Sequence, residues 1–254
     1  MNNQVDDQPC YVMHRRPFKE NSLLIDLFSL EFGRLSVVAK SVTKKGSSGG
    51  AALQVFTPLL LSWRGKSDLK TLSSYEVPTA ATRLKSTSLY CGYYLNELML
   101  YLLPEHEPFI QIFDAYTGAI ALLQSSTRYD LILRYFEVRL LLELGLAPDF
   151  SADSSSKAIE ADRRYRLNYD SCFEVMGSWA VGVNQSEDIA RKGVSGATLI
   201  WLSDIGNSEY AEVDESPTIR REAKWLMRIL IDQALNGRPL KSREMIKQLG
   251  EVKW

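Results

Sequence analysis

The chain contains 254 residues, of which 45% are hydrophobic and 24% are charged, a composition typical of a soluble globular protein with a sizeable core. No apolar run approaches the ~18 residues that a membrane-spanning helix requires. The N-terminal sequence MNNQVDDQPC also lacks the basic and apolar blocks of a secretory signal. The sequence therefore predicts a cytoplasmic protein with one large domain or two ordinary ones.

The net charge of −1 conceals a strong segregation of charges along the chain. Residues 1–80 contain ten basic and seven acidic side chains, and residues 217–254 contain nine and four. Residues 81–216, in contrast, contain eleven basic and twenty acidic side chains. Two basic ends around an acidic middle favour a polyanion-binding surface that is built from both ends of the chain.

The first eighty residues predict five short β-strands. The strand candidates are CYVMHRR, SLLIDLF, RLSVVAK, ALQVFTPLLLSW and DLKTLSSYEV, with turn residues between them and the glycine-rich loop SVTKKGSSGGA after the third. In the third, Leu35 and Val37 alternate with Ser36, which is the period of a half-buried strand. Five strands with this loop fit a small closed barrel, either an OB-fold or an SH3-like barrel.

After Pro78 the pattern changes to helices. The runs SLYCGYYLNELMLYLL, PFIQIFDAYTGAIALL and RYDLILRYFEVRLLLELG predict three helices, and Gly145 is placed to cap the last. Residues 147–216 predict a small irregular subdomain, in which IARKGVSGATLIWL is a helix candidate. A further helix begins with Ser216 as N-cap and Pro217 at its first position.

The predicted fold class is α+β, with two domains. Residues 1–80 form the five-stranded barrel, and residues 81–254 form a mainly α-helical domain that contains the irregular subdomain.

The sequence predicts neither catalytic chemistry nor a cofactor. The two histidines have no Ser, Cys or carboxylate at a recognisable catalytic spacing, and no glycine-rich phosphate loop is present. The three cysteines, Cys10, Cys91 and Cys172, are too far apart for a zinc site and suit reduced thiols. The enzymatic alternative is a nuclease, for which Asp26 and Asp68 would have to converge on Mg²⁺.

Basic residues of the barrel are concentrated at the predicted strand ends and loops, which is where phosphate contacts are made when a barrel binds a nucleic-acid backbone. Phe18, Phe56 and Trp63 lie nearby in the sequence, either to stack on bases or to fill the core. The predicted DNA contacts are Arg15, Arg16, Lys19, Arg34, Lys40, Lys44, Lys45, Arg64, Lys66 and Lys70.

Four segments in a fixed order carry a resemblance to a known family. They are VVAK with AALQVFTPLLLSWRGKSDLKTL in the barrel, LYCGYYLNELML and LRYFEVRLLLELG in the helical part, and GRPLKSREMI near the end. Together they resemble the RecO family of bacterial recombination mediators over about residues 10 to 250.

The resemblance implies an N-terminal OB-fold and a C-terminal helical domain. It implies binding to single- and double-stranded DNA, annealing of complementary strands, and, with RecR, help in loading RecA onto DNA coated with single-strand-binding protein. It also implies a cytoplasmic protein that associates with the nucleoid when bound to DNA. The alternative is a protein-interaction adaptor in which the barrel is only a scaffold.

The chain departs from the family pattern at two places. Many members carry two cysteine pairs that bind zinc in the region corresponding to residues 147–205, whereas this chain has only Cys172 there. It therefore resembles the zinc-free branch, and no metal is expected. In the barrel, Ser41 stands where a glycine is usual after Lys40, and the loop TKKGSSGG contains fewer arginines than is common.

The family also implies a site for the acidic tail of single-strand-binding protein, which ends in Phe. In this chain Arg134 matches the position of the tail-binding arginine, and the helix around it supplies apolar side chains. The predicted tail-binding residues are Arg134, Val138, Arg139, Leu141 and Leu142. The alternative for Arg134 is an ion pair with Asp130 or Glu137 on its own helix.

The basic segment GRPLKSREMI has two interpretations as well. In the fold that the family implies, Lys241 and Arg243 extend the DNA surface as phosphate contacts. In the structural interpretation, Ser242 is a helix N-cap and Arg243 pairs with Glu143 or another acidic residue.

Overall fold

A computed structural model describes residues 4–42, 49–78, 83–168, 171–177, 193–207 and 215–249. The chain divides into two compact units. The first unit contains residues 1–129 and 240–253, and the second contains residues 130–239. The sequence boundary that was expected near residue 80 stays a prediction.

Five strands of the first unit form a closed barrel. They are β1 (Gln4–Phe18), β2 (Ser22–Ser29), β3 (Gly33–Ala39), β4 (Pro58–Arg64) and β5 (Lys70–Glu76). Their order around the barrel is β1-β2-β3-β5-β4, with β3 and β5 parallel and every other pair antiparallel. This is the topology of an OB-fold, which decides between the two barrels that the sequence left open.

Strand β1 closes the barrel because it is long enough to pair on both sides. Its first half pairs with β4 from Gln4 opposite Arg64, and its second half pairs with β2 as far as Phe18 opposite Ser22. Irregularities in both registers bend β1, as expected where a strand passes from one side of a barrel to the other.

The barrel interior is filled mainly by aliphatic side chains, which alternate with less buried residues over part of β2, β3 and β4. In β3, Leu35 and Val37 are 2% and 0% exposed whereas Ser36 is half-buried. Buried core members from β1, β2 and β4 include Val12, Ile25 and Leu61. The predicted alternation is therefore confirmed as far as Val37, whereas Val38, which was expected on the outer face, is buried.

Two strand boundaries differ from the prediction. Strand β1 begins at Gln4 rather than near Cys10. The residues before Cys10 are polar and show no hydrophobic alternation, but their backbone pairs with β4. Strand β4 begins only at Pro58, because Phe56 before it has a positive φ of 68°, which is incompatible with an extended strand.

The short helical turn α1 (Gly49–Ala52) precedes β4, and two longer helices follow the barrel strands in the first unit. Helices α2 (Ser86–Leu102) and α3 (Ile110–Ser125) confirm the first two helix predictions. Asn96 of α2 is 2% exposed and donates to the Met13 carbonyl at 2.7 Å, and its own amide oxygen accepts from the Tyr116 hydroxyl at 2.6 Å. These buried bonds attach both helices to β1.

In the second unit, helix α4 (Tyr129–Glu143) confirms the third helix prediction, and Gly145 with φ +66° follows it as predicted. A small sheet of β6 (Arg164–Leu167), β7 (Phe173–Val175) and β8 (Val194–Ser195) has the order β7-β6-β8. Regular strands thus lie inside the segment that was predicted to be irregular.

Three more helices follow. Helix α5 (Gly196–Asn207) begins later than Val194, which the candidate run included, because Val194 and Ser195 form β8. Residues 189–192 of that run lie outside the described ranges. Helix α6 (Pro217–Ala234) has Ser216 as its N-cap, as predicted, and α7 (Lys241–Leu249) ends the described chain. Among the described residues, no helix is both long and apolar enough to cross a lipid bilayer.

Candidate nucleic-acid interface and partner site

Three predicted DNA contacts lie at one end of the barrel. Arg16 near the end of β1 is opposite Leu24, which is opposite Val38 of β3. Lys40 follows directly after β3, and Lys19 lies in the turn after β1. All three cations are exposed, so they form a basic strand-end surface. The predicted contacts Lys44 and Lys45 follow Lys40 in the sequence but lie outside the described residues.

Arg15, in contrast, is held by contacts within the barrel unit. Its guanidinium donates to the carbonyl oxygens of Gly50 at 2.6 Å and Leu53 at 3.1 Å, and to the side-chain oxygen of Gln54 at 2.9 Å. Three acceptors fix this side chain against the turn α1. The geometry thus gives Arg15 a structural role, whereas its predicted contact with DNA is untested.

A second group of predicted contacts lies at the β4–β5 turn. Arg64 ends β4 and is exposed, as is Lys66, whereas Lys70 is half-buried and lies 3.4 Å from the Gly65 carbonyl. Asp68 of the same turn is 98% exposed and approaches His106 at 4.0 Å. The turn therefore presents two fully available cations beside one acidic side chain.

Arg34, at the start of β3, is engaged with the loop between α2 and α3. Its Nε donates to the Leu103 carbonyl at 3.0 Å, and its guanidinium pairs with Glu105 at 3.0 Å. The side chain is only 20% exposed. These contacts neutralise the charge of Arg34 and hold its side chain against the protein. The exposed cations of the barrel are therefore better placed than Arg34 to contact a phosphate.

The outer face of the barrel carries one polar row across three strands. His14 of β1, Asp26 of β2 and Ser36 of β3 are successive cross-strand partners. The Asp26 carboxylate lies 3.4 Å from His14 and accepts from the Ser36 hydroxyl at 2.7 Å. This leaves Asp26 bound to side chains of its own sheet, whereas Asp68 lies in the β4–β5 turn. The nuclease alternative therefore gains no support from the geometry.

Two of the three aromatic residues singled out in the sequence are core residues. Phe56 and Trp63 are each 2% exposed, and Trp63 belongs to the barrel core. Phe18 is half-buried at the end of β1, with the Lys19 ammonium 5.5 Å from its ring. The core interpretation therefore holds for Phe56 and Trp63.

The C-terminal basic segment is attached to the first unit by a carboxylate. Glu97 of α2 accepts from the backbone N–H groups of Lys241 and Ser242, both at 2.9 Å, and from the Ser242 hydroxyl at 2.6 Å. The side chain of Glu97 thus binds the free N–H groups that begin α7, where a negative charge is favourable.

This geometry modifies the structural interpretation of the segment. Ser242 lies inside α7 and donates to Glu97, so it is not the N-cap that was predicted. The guanidinium of Arg243 lies 5.7 Å from the Tyr94 ring, an arrangement typical of a cation–π contact. Lys241 is exposed, so its proposed phosphate contact is sterically open.

Arg134 of α4 makes the ion pair that the sequence gave as its alternative role. Its guanidinium donates to Glu137 at 2.6 Å and to the Lys224 carbonyl of α6 at 3.4 Å. The Arg134 and Glu137 side chains are 11% and 1% exposed. Because Glu137 is buried, this pair is a structural element of the second unit as well as a candidate anion site.

The other predicted tail-binding residues divide into buried and accessible ones. Val138 and Leu141 are each 0% exposed, so they belong to the core rather than to a pocket surface. Leu142 is 40% exposed, and Arg139 lies 5.3 Å from the Tyr135 ring. The sequence did not distinguish the buried residues from the accessible ones, because both kinds lie on the same largely apolar helix, α4.

Arg139 and Leu142 line an open groove of about 400 Å³ between α4 and the end of α5. Glu143, Gly206 and Asn207 complete its lining. A Cβ at Gly206 would approach Leu142 to 2.8 Å, so glycine permits the close contact of the two helices that forms the groove floor. The groove combines an apolar side chain, a guanidinium, a carboxylate and an amide.

Comparison with known proteins places the chain in a family. The family model for the N-terminal part of recombination protein O matches residues 1–80, and that for its C-terminal part matches residues 83–244. The chain is 38% identical to the DNA repair protein RecO of Methylococcus capsulatus, over 93% of this chain and 91% of that protein. It is 37% identical to the protein of that name from Halorhodospira halophila, over 97% and 99%.

The chain belongs to the RecO family. Membership assigns it to DNA repair and recombination. The family resemblance that the four sequence segments indicated is therefore confirmed. The RecO-family N-terminal region coincides with the closed barrel, whose strands end at Glu76.

The region in which many RecO-family members carry zinc ligands contains the small sheet. Cys172 lies just before β7 and is exposed, and its backbone N–H donates to the Asn168 side-chain oxygen at 2.9 Å. Within the described ranges, no group of three or more His, Cys, Asp or Glu side chains could hold a metal ion. The predicted absence of zinc from the whole chain stays a prediction.

An ionic cluster that sequence reasoning missed anchors this sheet to α6. The Glu222 carboxylate accepts from the Ser195 N–H and hydroxyl and from the Thr198 hydroxyl, each at 2.8 Å, and pairs with Arg164 at 3.0 Å. Burial acts to raise the Glu222 pKa, but these donors together lower it below its usual value. In the sequence, this cluster is indicated only by a glutamate on the apolar side of α6.

Proposed function

We propose that this RecO-family protein is a non-enzymatic recombination mediator that binds single- and double-stranded DNA and anneals complementary strands. The observation that carries the proposal is an OB-fold barrel with exposed cations at its strand ends, Arg16, Lys19, Lys40, Arg64 and Lys66. Such a barrel binds the phosphate backbone with little dependence on base sequence.

Annealing requires no catalytic constellation. Two strands must lose their mutual phosphate repulsion and then pair, and protein cations that neutralise phosphates lower this repulsion. No covalent bond forms or breaks. The polar row of His14, Asp26 and Ser36 therefore has no reaction to perform, and a structural role suffices for it.

The proposed partners follow from the family. With RecR, the protein would help RecA replace single-strand-binding protein on DNA, and it would act in the cytoplasm, associated with the nucleoid when bound to DNA. We propose that the acidic, Phe-ending tail of single-strand-binding protein binds the second unit at the groove beside α4. Leu142 offers an apolar surface for the terminal ring, and Arg139 offers charge-assisted hydrogen bonds for the carboxylate.

Arg134 contributes to the proposed tail site mainly through its charge. Its guanidinium is held by Glu137 and the Lys224 carbonyl, so it adds a positive field to the site. Glu143 also lines the groove, so acidic side chains of the tail would have to lie on the Arg139 side of it.

The DNA part of the proposal is tested by titrating labelled oligo(dT) at several salt concentrations. We expect Arg16→Ala with Lys40→Ala to weaken binding to every sequence and to flatten the logarithmic salt slope by about 1.4, or 0.7 per lost phosphate contact on single strands. The matched control replaces two exposed cations outside the barrel, Lys157 and Arg221, by Ala. Equal losses in both double variants would contradict a barrel-specific surface.

Annealing itself is measured with complementary oligonucleotides, bare and coated with single-strand-binding protein. Wild-type protein should accelerate annealing in both cases, and the Arg16→Ala, Lys40→Ala variant should lose most of the acceleration. A wild-type protein that binds no DNA but still binds the coated complex would instead support the adaptor alternative.

A further inference from the structure

One aromatic side chain of the barrel is exposed although its ring packs against a buried aromatic residue. Phe32 lies in the turn between β2 and β3 and is 37% exposed. Its ring packs against that of Trp63, with the centroids 5.4 Å apart and the planes at 85°. In this perpendicular arrangement at least one face of the Phe32 ring is clear of Trp63.

The backbone of this turn is rigid. Gly33 has φ +62°, and a Cβ there would overlap the Glu107 carbonyl, so only glycine permits the close approach of the two segments. The next residue, Arg34, accepts at its carbonyl from the His106 N–H at 2.8 Å, and its side chain donates to Leu103. The exposed ring is therefore preorganised, and ordering it on a ligand costs little entropy.

Exposed cations follow the tryptophan that supports the Phe32 ring. Trp63 immediately precedes the exposed Arg64, and exposed Lys66 follows two residues later. Acidic residues lie beside the turn as well: the Glu31 carboxylate accepts from the Gln8 amide at 3.2 Å, Glu105 pairs with Arg34, and the Glu107 backbone lies against Gly33. A phosphate would therefore bind on the Arg64 and Lys66 side of the ring, and an exposed aromatic ring beside exposed cations is the combination that single-stranded nucleic acid uses.

We propose that Phe32 is a stacking platform for one unpaired base of single-stranded DNA. The inference rests on the proposed DNA-binding function and adds to it a residue that discriminates single strands from duplex. A base within duplex DNA is already stacked on its neighbours and does not offer its face to the ring. Stacking tolerates every base, so Phe32 confers preference for strandedness and not for sequence.

The test compares Phe32→Leu with wild type on labelled oligo(dT) and on a duplex of the same length. Leucine retains apolar volume but removes the aromatic face. We expect single-strand affinity to fall by about five-fold to one-hundred-fold, the range for one stacked base, with duplex affinity unchanged. The salt slope should be unchanged because no phosphate contact is lost. Phe32→Trp should retain wild-type affinity.

A matched control is available in the same unit. Tyr93 of α2 is 38% exposed and packs against Phe56, with centroids 5.3 Å apart and planes at 65°. Tyr93→Leu thus removes an equally exposed, ring-supported aromatic and should leave oligo(dT) affinity unchanged. Melting temperatures of both Leu variants verify that the chain is folded in each measurement.

The possible outcomes separate the two proposals. If wild type binds oligo(dT) with a steep salt dependence and Phe32→Leu binds equally well, the stacking proposal is wrong and the DNA-binding proposal stands. Equal loss on single strands and duplex also overturns stacking. If wild type binds no DNA, both proposals fail.

Discussion

The barrel and the second unit place their charges in opposite ways. The barrel interior is apolar, and cations such as Arg16 and Arg64 stand exposed at the strand ends. Among the described residues of the second unit three carboxylates are buried, since Glu137, Glu215 and Glu222 are 1%, 6% and 3% exposed. Each of them pairs with an arginine.

This difference determines what a substitution measures in each region. Removing an exposed cation of the barrel changes binding to a polyanion while leaving the core intact. Removing one partner of a buried pair leaves an uncompensated charge in a poorly solvated place, which destabilises the fold strongly. Loss of partner binding in the second unit therefore has to be separated from loss of folding.

The largest effect is expected at Glu222. Glu222→Ala removes the acceptor of the Ser195 and Thr198 hydroxyls and of Arg164, and should lower the free energy of unfolding by about 3–5 kcal/mol. Urea unfolding followed by circular dichroism measures it. As a control, Glu174→Ala on the same sheet removes an exposed pair with Arg166 and an exposed hydrogen bond from Asn168, and should cost much less stability than Glu222→Ala. Equal costs would contradict the contrast between buried and exposed pairs.

The same carboxylate predicts a pH dependence. Because the Glu222 pKa is lower in the folded chain than its usual value of 4.5, the folded state binds a proton there more weakly than the unfolded state. Its stabilisation is present above pH 4.5 and is lost as the pH falls through the lower folded value. The stability difference between wild type and Glu222→Gln should therefore shrink in urea titrations as the pH is lowered below 4.5. A constant difference would contradict this assignment.

The elements that were predictable from sequence are those whose signals are local. The alternation of β3, the three helices α2 to α4 and the Ser216-Pro217 helix start were all correct, because each depends on neighbouring residues alone. The start of β1 at Gln4 was not predictable, since it depends on pairing with β4 some sixty residues away. The small sheet was predicted only as part of an irregular subdomain, because its strands are two to four residues long.

In the candidate site, too, the features with local signals were predictable and those that depend on long-range contacts were not. Exposed cations at strand ends were predictable, because the barrel topology places turns at its ends. The role of Glu97 at the start of α7 was not, since it joins residues 97 and 241. Nor could sequence distinguish the arginines that are engaged within the protein, Arg15 and Arg34, from those that are exposed.

A smaller loss of stability is expected at Arg134, where a substitution can affect both folding and peptide binding. Arg134→Ala leaves the Glu137 carboxylate buried without its guanidinium and should destabilise the fold by about 3 kcal/mol. If Arg134 also attracts the acidic tail, a labelled peptide ending in Phe should bind more weakly by about 1.5–3 kcal/mol in fluorescence anisotropy, with DNA binding preserved.

The paired change Arg134→Ala with Glu137→Gln separates the two consequences. It removes both charges, so it should recover part of the stability while peptide affinity stays low. Recovery of peptide affinity together with stability would mean that Arg134 acts only through folding. Arg139→Ala removes a groove-lining cation and its contact with the Tyr135 ring, so it should weaken the peptide, and its melting temperature is measured in parallel to separate binding from folding.

The smallest effect on stability is expected for the exposed barrel cations. Arg16→Ala with Lys40→Ala should change the free energy of unfolding by no more than about 0.5 kcal/mol, because both side chains are exposed and no core contact is lost. Arg15→Ala, one residue away, should cost about 1–3 kcal/mol because the Gly50 and Leu53 carbonyls lose their donor. Urea unfolding of the two variants side by side measures the contrast. If the Arg16, Lys40 pair proves as costly as Arg15, these cations are structural and the DNA surface must lie elsewhere on the barrel.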